Sequence, residues 1–148
     1  MNSKITQAAI DVHKKHRDRT KKDVSTQTKS AIQITREWQE IICDGKTIKR
    51  EVPVSPEGNE KIDVVDLESM VAYEMKVSGK NAHHEFYKDI VKVLTYNLHR
   101  EQKSDHIKKM VFLSEEYGII SLEKRLDAKF VSLLEDVHNM AIELIPIK

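Results

Sequence analysis

Apolar residues along the chain recur with two different periods, and the changes of period mark out the elements. Ile5, Ala8, Ala9 and Val12 return every three to four positions, which predicts a first helix from about Lys4 toward Arg19, amphipathic early and charged later. Its apolar stripe is thin, so an accessory arm or an oligomer contact is expected of it. Ser25 or Thr26 then provides an N-cap for a second helix carrying Ala31, Ile34, Trp38, Ile41 and Ile42 on one stripe and ending at Asp44-Gly45. From Lys46 to Val54 the period becomes two, with Ile48, Val52 and Val54 alternating with polar residues, and Pro56-Glu57-Gly58-Asn59 reads as a turn. Beyond Ser78-Gly79-Lys80-Asn81, helical spacing returns in Phe86, Ile90, Val93, Leu94 and Leu98. The short apolar run Lys109–Ser114 reads as a buried strand, which a crossover helix would reach if it lies parallel to its neighbour. Leu126, Phe130, Leu133, Leu134 and Val137 predict a last helix before a further strand at Ala141–Ile145.

The segment from Lys61 to Val77 carries the most chemistry. It reads as two strands joined by a tight turn at Glu68-Ser69, and a two-residue loop there would place Leu67 opposite Met70, Val65 opposite Ala72 and Asp63 opposite Glu74. Side chains alternate across a strand, so Glu74 and Lys76 share one face while Val71, Tyr73, Met75 and Val77 share the other. Two carboxylates directly across a ladder repel one another and call for compensation. A hard divalent cation such as Mg²⁺ takes one or two carboxylates together with waters and substrate phosphate, and an adjacent ammonium group also offsets the charge. Asp63, Glu74 and Lys76 supply those parts. The other reading of the same positions is a solvated outer face of an antiparallel hairpin.

With an acid on one strand and Glu74-Met75-Lys76 on the next, the chain resembles the PD-(D/E)XK nuclease superfamily. Ile62 stands before Asp63 where many members have proline. The order helix, three strands, helix, strand, helix, strand matches over most of the chain after about Gln27. The resemblance implies an α/β (α+β) restriction-endonuclease-like core, a central mixed sheet of four to five strands flanked by helices, with an extra N-terminal helix. It also implies that Asp63 and Glu74 hold the metal, with the carbonyl of Met75 as a further ligand, and that Lys76 positions or activates the attacking water. Family members often carry another carboxylate on the helix before the sheet. Glu37, at the margin of the Trp38 stripe, is the candidate, ahead of Glu40, which points nearly opposite it. Some members carry an acid on the first strand instead, and Glu51 ranks behind Glu37.

Composition then narrows the setting. The 148 residues suffice for one domain, here an accessory basic helix over residues 1–24 and a catalytic core over 25–148. A net charge of +1 does not announce a nucleic-acid binder, so the distribution of charge decides. Lys14, Lys15, Arg17, Arg19, Lys21 and Lys22 make the N-terminal segment basic, either a phosphate-facing surface or an ordinary solvated face. His84, Tyr87 and Lys88 fall in the first turns of the crossover helix on nearly one face, within reach of a phosphate if they are not simply exposed. His13 and His16 are spaced for a soft metal but have no third ligand nearby. The lone Cys43 makes no intramolecular disulfide, and an intracellular setting fits, with delivery as a toxin left open. No stretch has the apolar length to cross a bilayer.

The expected function is therefore Mg²⁺-dependent endonucleolytic hydrolysis of DNA, restriction-like or structure-specific, with Mn²⁺ able to substitute. The expected substrate is double-stranded or branched DNA. A homodimer with its contact on the first helix would let one site per chain cut both strands. Two alternatives are a nuclease toxin acting on DNA or tRNA and a non-catalytic nucleic-acid-binding subunit with a nuclease-like fold.

Overall fold

The alternating segments close into a five-stranded mixed sheet in the structure, a computed structural model that describes residues 3–20 and 24–147. In chain order the elements are α1 (Lys4–Thr20), α2 (Val24–Ile42), β1 (Ile48–Pro53), β2 (Lys61–Asp66), β3 (Val71–Lys76), α3 (Ala82–Leu98), β4 (Lys109–Glu115), α4 (Glu116–Arg125), α5 (Ala128–Asp136) and β5 (Ala141–Ile147). The strands lie in sequence order across the sheet. β1, β2 and β3 are antiparallel, and β4 and β5 add parallel to β3, as a crossover through α3 requires. Pro53 and Pro146 both fall on edge strands, where a missing N–H leaves no ladder bond unmade in the middle of the sheet.

Each face of the sheet is covered by its own core. Ala72, Met110 and Phe112 pack with Phe86, Ile90 and Val93 of α3, Ile119 and Leu122 of α4, and Leu134 of α5. The alternate positions Tyr73, Met75, Val111 and Leu113 pack on the opposite face with Ile34 and Trp38 of α2 and with Ile5, Ala9 and Val12 of α1. That placement corrects the expectation of an accessory arm. The apolar stripe of α1 is narrow, yet Ile5, Ala9 and Val12 are all buried, and the small Ala9 completely so. The Trp38 indole N–H donates to the Ile5 carbonyl at 2.9 Å, tying α1 to α2 through the core.

α5 stands where the spacing predicted a helix, and α4 stands ahead of it over residues for which none was predicted. Asp127 is the N-cap of α5, its carboxylate accepting the N–H groups of Lys129 and Phe130, and that cap leaves Leu126 in extended backbone before the helix. Val137 is the C-cap of α5, and α4 arises from the run that begins directly after β4. The loop after β3 crosses the start of α4 with no room to spare. A Cβ on Gly118 would stand 2.5 Å from Gly79 Cα, so Gly118→Ala is expected to cost about 1–3 kcal/mol of stability, measured by urea unfolding. A cost near zero would mean that this approach is loose.

The ladder fails at one level, and there the sheet changes phase. β1 pairs with β2 at Arg50↔Val64 and again at Val52↔Ile62, but not at Glu51 and Asp63, which lie between; Glu51 has φ 49. On the other side, β2 pairs with β3 from Asp66↔Val71 to Val64↔Tyr73 and stops short of Asp63 and Glu74. The turn of the hairpin spans residues 67–70, longer than the two-residue loop expected, yet the register of Val65 with Ala72 is the expected one. The interruption explains a break in the period of two. Ile62 and Val65 pack on the same face although they are three residues apart, and Ile48 and Val52 pack on opposite faces although they are four apart.

Candidate functional site

Backbone groups released by that gap must find partners, because a buried N–H or C=O left unpaired costs as much as a lost hydrogen bond. Ionisable and polar side chains fill the role. The Asp63 N–H donates to Glu74 Oε1 at 2.9 Å, and the Met75 N–H donates to Asp63 Oδ2 at 2.9 Å. The Asp63 carbonyl accepts from Gln39 Nε2 of α2 at 3.0 Å, and the same nitrogen donates to Glu51 Oε1 at 3.1 Å. From the other face, Lys92 Nζ of α3 donates to the Lys61 carbonyl at 2.8 Å and to Glu74 Oε2 at 2.7 Å, with Asp89 Oδ1 at 3.1 Å. The sheet is thus opened at Asp63 and resealed by Glu74, Gln39 and Lys92.

This places three carboxylates, Asp63, Glu74 and Asp89, around one ammonium, with Glu51 beside them. Burial pushes the Asp63 carboxyl up to about 6; Asp89 and Glu51 add to the rise, while the Met75 N–H and Lys92 oppose it. Burial also raises Glu74 well above the usual carboxylate range, helped by Asp63 and Asp89 and opposed by Lys92. Asp89 is raised by burial against the pull of Lys92. For Lys92, burial alone would lower the pKa, but Glu74 and Asp89 outweigh it and hold the ammonium above its ordinary value. The cluster is short of positive charge.

A pH dependence follows for the cation-free protein. The folded state holds the Asp63 proton more tightly than the unfolded chain, so this group's contribution is fully present below its ordinary value of 3.8 and is lost as pH rises through about 6. Asp63→Asn is expected to lose less thermal stability than the wild type between pH 4 and pH 7 in the presence of a chelator. Parallel pH profiles for the two proteins would contradict it.

Both carboxylates of the hairpin motif meet at this gap, each accepting a backbone N–H of the other strand, Glu74 from Asp63 and Asp63 from Met75. Lys76 ends β3 paired with Ser114 of β4, partly exposed, and its side chain has no hydrogen-bond or ion-pair partner among the described residues. Glu37 is not brought to Asp63. His16 Nε2 at 2.6 Å and Lys15 Nζ at 3.1 Å hold its carboxylate, and those contacts lower its pKa. Glu37 and Gln39 flank Trp38 on opposite sides of α2; the Glu37 side meets α1 and the Gln39 side meets β1 and β2. Glu51, ranked behind Glu37, shares Gln39 with Asp63.

The basic N-terminal segment is partly spent inside the fold. His13 Nε2 lies 3.0 Å and Arg17 Nε 3.3 Å from Glu115 Oε2, while Lys14 is exposed. Lys21 and Lys22 lie outside the described residues. On α3, His84 and Lys88 are exposed, His84 stacks on His83 at 4.0 Å, and Tyr87 packs edge-on against Phe86 and Phe130. Lys88 precedes Lys92 by four residues and shares a cleft of about 280 Å³ with it. On the other side of the gap, Gln39 lines a cleft of about 570 Å³ with Lys49 and Arg50. Lys92, Asp89 and Gln39 escape a motif search because their link to Asp63 and Glu74 is tertiary; the signal available was Asp89 and Lys92, two charges three residues apart beside the buried stripe of α3.

Among the described residues, no three or more His, Cys, Asp or Glu side chains are grouped to hold a metal ion. Asp63 Oδ1 has no hydrogen-bond partner among the described residues, so Asp63 and Glu74 are the two carboxylates that could hold a hard cation which keeps most of its waters. No described helix is long and apolar enough to cross a membrane. No protein-family model, no curated protein and no solved structure matches the chain.

Proposed function

We propose that the chain is a Mg²⁺-dependent endonuclease hydrolysing phosphodiester bonds of DNA, with a restriction-endonuclease-like core. The observation that carries this reading is the opening of the sheet at Asp63, where the half-buried Asp63 and the buried Glu74 from adjacent strands meet with more negative charge than one ammonium offsets. A sheet with three antiparallel strands followed by two parallel ones, bearing the acid on β2 and Glu74-Met75-Lys76 on β3, supports the PD-(D/E)XK comparison.

In this reading Asp63 and Glu74 hold the cation, with the Met75 carbonyl as a third oxygen. A bound Mg²⁺, or Mn²⁺ in its place, lowers the pKa of water and offsets charge on the phosphate. Lys76, on the same strand as Glu74 and with no side-chain partner among the described residues, stabilises the negative charge that grows on the phosphate and orients the attacking water. Before the cation binds, Lys92, itself held by Asp89, occupies the Glu74 carboxylate from α3, and Gln39 fixes the Asp63 backbone from α2. Lys88 on one side of the gap, and Lys49 and Arg50 on the other, offer cations to the flanking phosphates. Cutting both strands calls for a homodimer, whose contact is not the apolar stripe of α1, since that stripe is buried. An intracellular place of action belongs to the same proposal.

The test is a cleavage panel of duplex DNA, branched DNA, single-stranded DNA and tRNA, each with Mg²⁺ and with a chelator. Cation-dependent internal cuts in duplex or branched DNA are expected. Cutting of tRNA alone would move the assignment to a ribonuclease toxin, and binding without cleavage of any substrate would make the chain a non-catalytic binder.

A further inference from the structure

Lys92 is buried, and each of the three N–H bonds of its ammonium has an oxygen within reach: the Lys61 carbonyl at 2.8 Å, Glu74 Oε2 at 2.7 Å and Asp89 Oδ1 at 3.1 Å. An ammonium surrounded by three oxygens, two of them carboxylate, stands where a hard cation would find ligands. Glu74 has no idle oxygen, since Oε1 accepts the Asp63 N–H and Oε2 accepts Lys92. A second cation at Glu74 must therefore share that carboxylate with Lys92 against the repulsion of like charges, or replace it. Two features make replacement practicable. The lysine stem is flexible, and Asp89, three residues earlier on the same helix, holds the ammonium at 3.1 Å separately from Glu74. The cleft that Lys92 lines with Lys88 opens against Val54, Ser55 and Glu60 and gives the side chain room to turn.

We propose that Lys92 is the internal counter-ion of the site: its ammonium occupies Glu74 while no divalent cation is bound, yields Glu74 when one binds, and then turns into the adjoining cleft beside Lys88 to meet a phosphate of the nucleic acid. The inference rests on the reading of Asp63 and Glu74 as cation ligands. Loading is then an exchange of one cation for another, so the wild-type site binds its metal less tightly than its carboxylates alone would allow. The ammonium keeps the buried carboxylates compensated until the exchange.

The decisive experiment is calorimetric titration of Mn²⁺ into the wild type and Lys92→Met. The variant is expected to bind at least about tenfold more tightly, since no ammonium then has to be displaced from Glu74 before the cation enters. Equal or weaker binding by Lys92→Met, with the wild type binding, overturns the counter-ion role and leaves the reading of the site standing. Binding by neither protein overturns both. A measurement on the wild type guards against a variant that fails to fold. In protein labelled with ¹⁵N at lysine Nζ, the Lys92 signal, identified by its loss in Lys92→Arg, is expected to shift and to exchange faster with water on saturation with Mg²⁺. A Lys92 signal that does not change while the cation binds also overturns the proposal.

Discussion

Asp63→Asn and Glu74→Gln should each lower Mg²⁺-dependent DNA cleavage by on the order of 10²–10³ or more, while the protein stays folded by circular dichroism. The two substitutions act on the same opening in the sheet from opposite strands. Asp63→Asn keeps an oxygen that can still accept the Met75 N–H, and Glu74→Gln keeps one that can still accept the Asp63 N–H, so the packing is largely retained while a negative charge is lost. Each variant leaves one carboxylate where the reading requires two. Their combination should be little worse than either alone, because groups that act as one unit are not additive. Cleavage at wild-type rates by either variant would remove its residue from the chemistry. Glu37→Gln is the natural control: its carboxylate serves His16 and Lys15, so its loss should loosen α1 and leave cleavage within a few-fold of wild type.

The second large effect is on stability. Lys92→Met should destabilise the cation-free protein by about 3–5 kcal/mol near neutral pH, because it strands Glu74 and Asp89 without their counter-ion; Lys92 and Glu74 have side chains only 9% and 3% exposed. The loss should shrink as pH falls, since Glu74, already raised well above its ordinary value, then takes up a proton and no longer needs the ammonium. Adding Glu74→Gln to Lys92→Met should recover part of the stability for the same reason. Urea unfolding with a chelator present measures all three proteins. A cost below about 1 kcal/mol for Lys92→Met would place this pair with weak surface ion pairs.

How far the sequence could be read depended on whether each contact was local. Along β3 the period of two sets the faces, and the turn sets the register, so that the structure has Val65 opposite Ala72 as expected. The same rule expects Asp63 opposite Glu74, but the ladder stops at Val64 and Tyr73, and the two residues are joined instead through the Asp63 N–H and the Glu74 carboxylate. That the ladder breaks just there is not written in any local pattern. It results from Glu51 in left-handed backbone on the neighbouring strand and from Gln39 and Lys92 arriving from two helices. α1 was hard to place because a stripe of Ile, Ala and Val looks thin on its own and becomes core only once α2 supplies Trp38. Glu37 and Gln39 differ little by angle from Trp38, and which side of α2 faces the sheet is a tertiary fact. The break between α4 and α5 was legible in part, because Asp127 followed by Ala128-Lys129-Phe130 is an N-cap signal inside an otherwise continuous apolar spacing.

The resealed gap also bears on how the site works. Four backbone groups at Lys61, Asp63 and Met75 depend on Glu74, Asp63, Gln39 and Lys92 for their hydrogen bonds, so these side chains hold the local backbone as well as the site's charge. Such coupling positions a site well, and it also means that single substitutions report on fold and function together. A binding measurement separates the two more cleanly than a rate does.

The most direct test of the central claim is therefore calorimetric titration of Mn²⁺ into the folded wild type and into Asp63→Asn/Glu74→Gln, with folding of both checked by circular dichroism. The account predicts that the wild type binds the cation through its two carboxylates and that the double variant does not. A folded wild type that binds no cation, or a double variant that binds it as well as the wild type does, would contradict the assignment of Asp63 and Glu74 as the centre of this protein's chemistry.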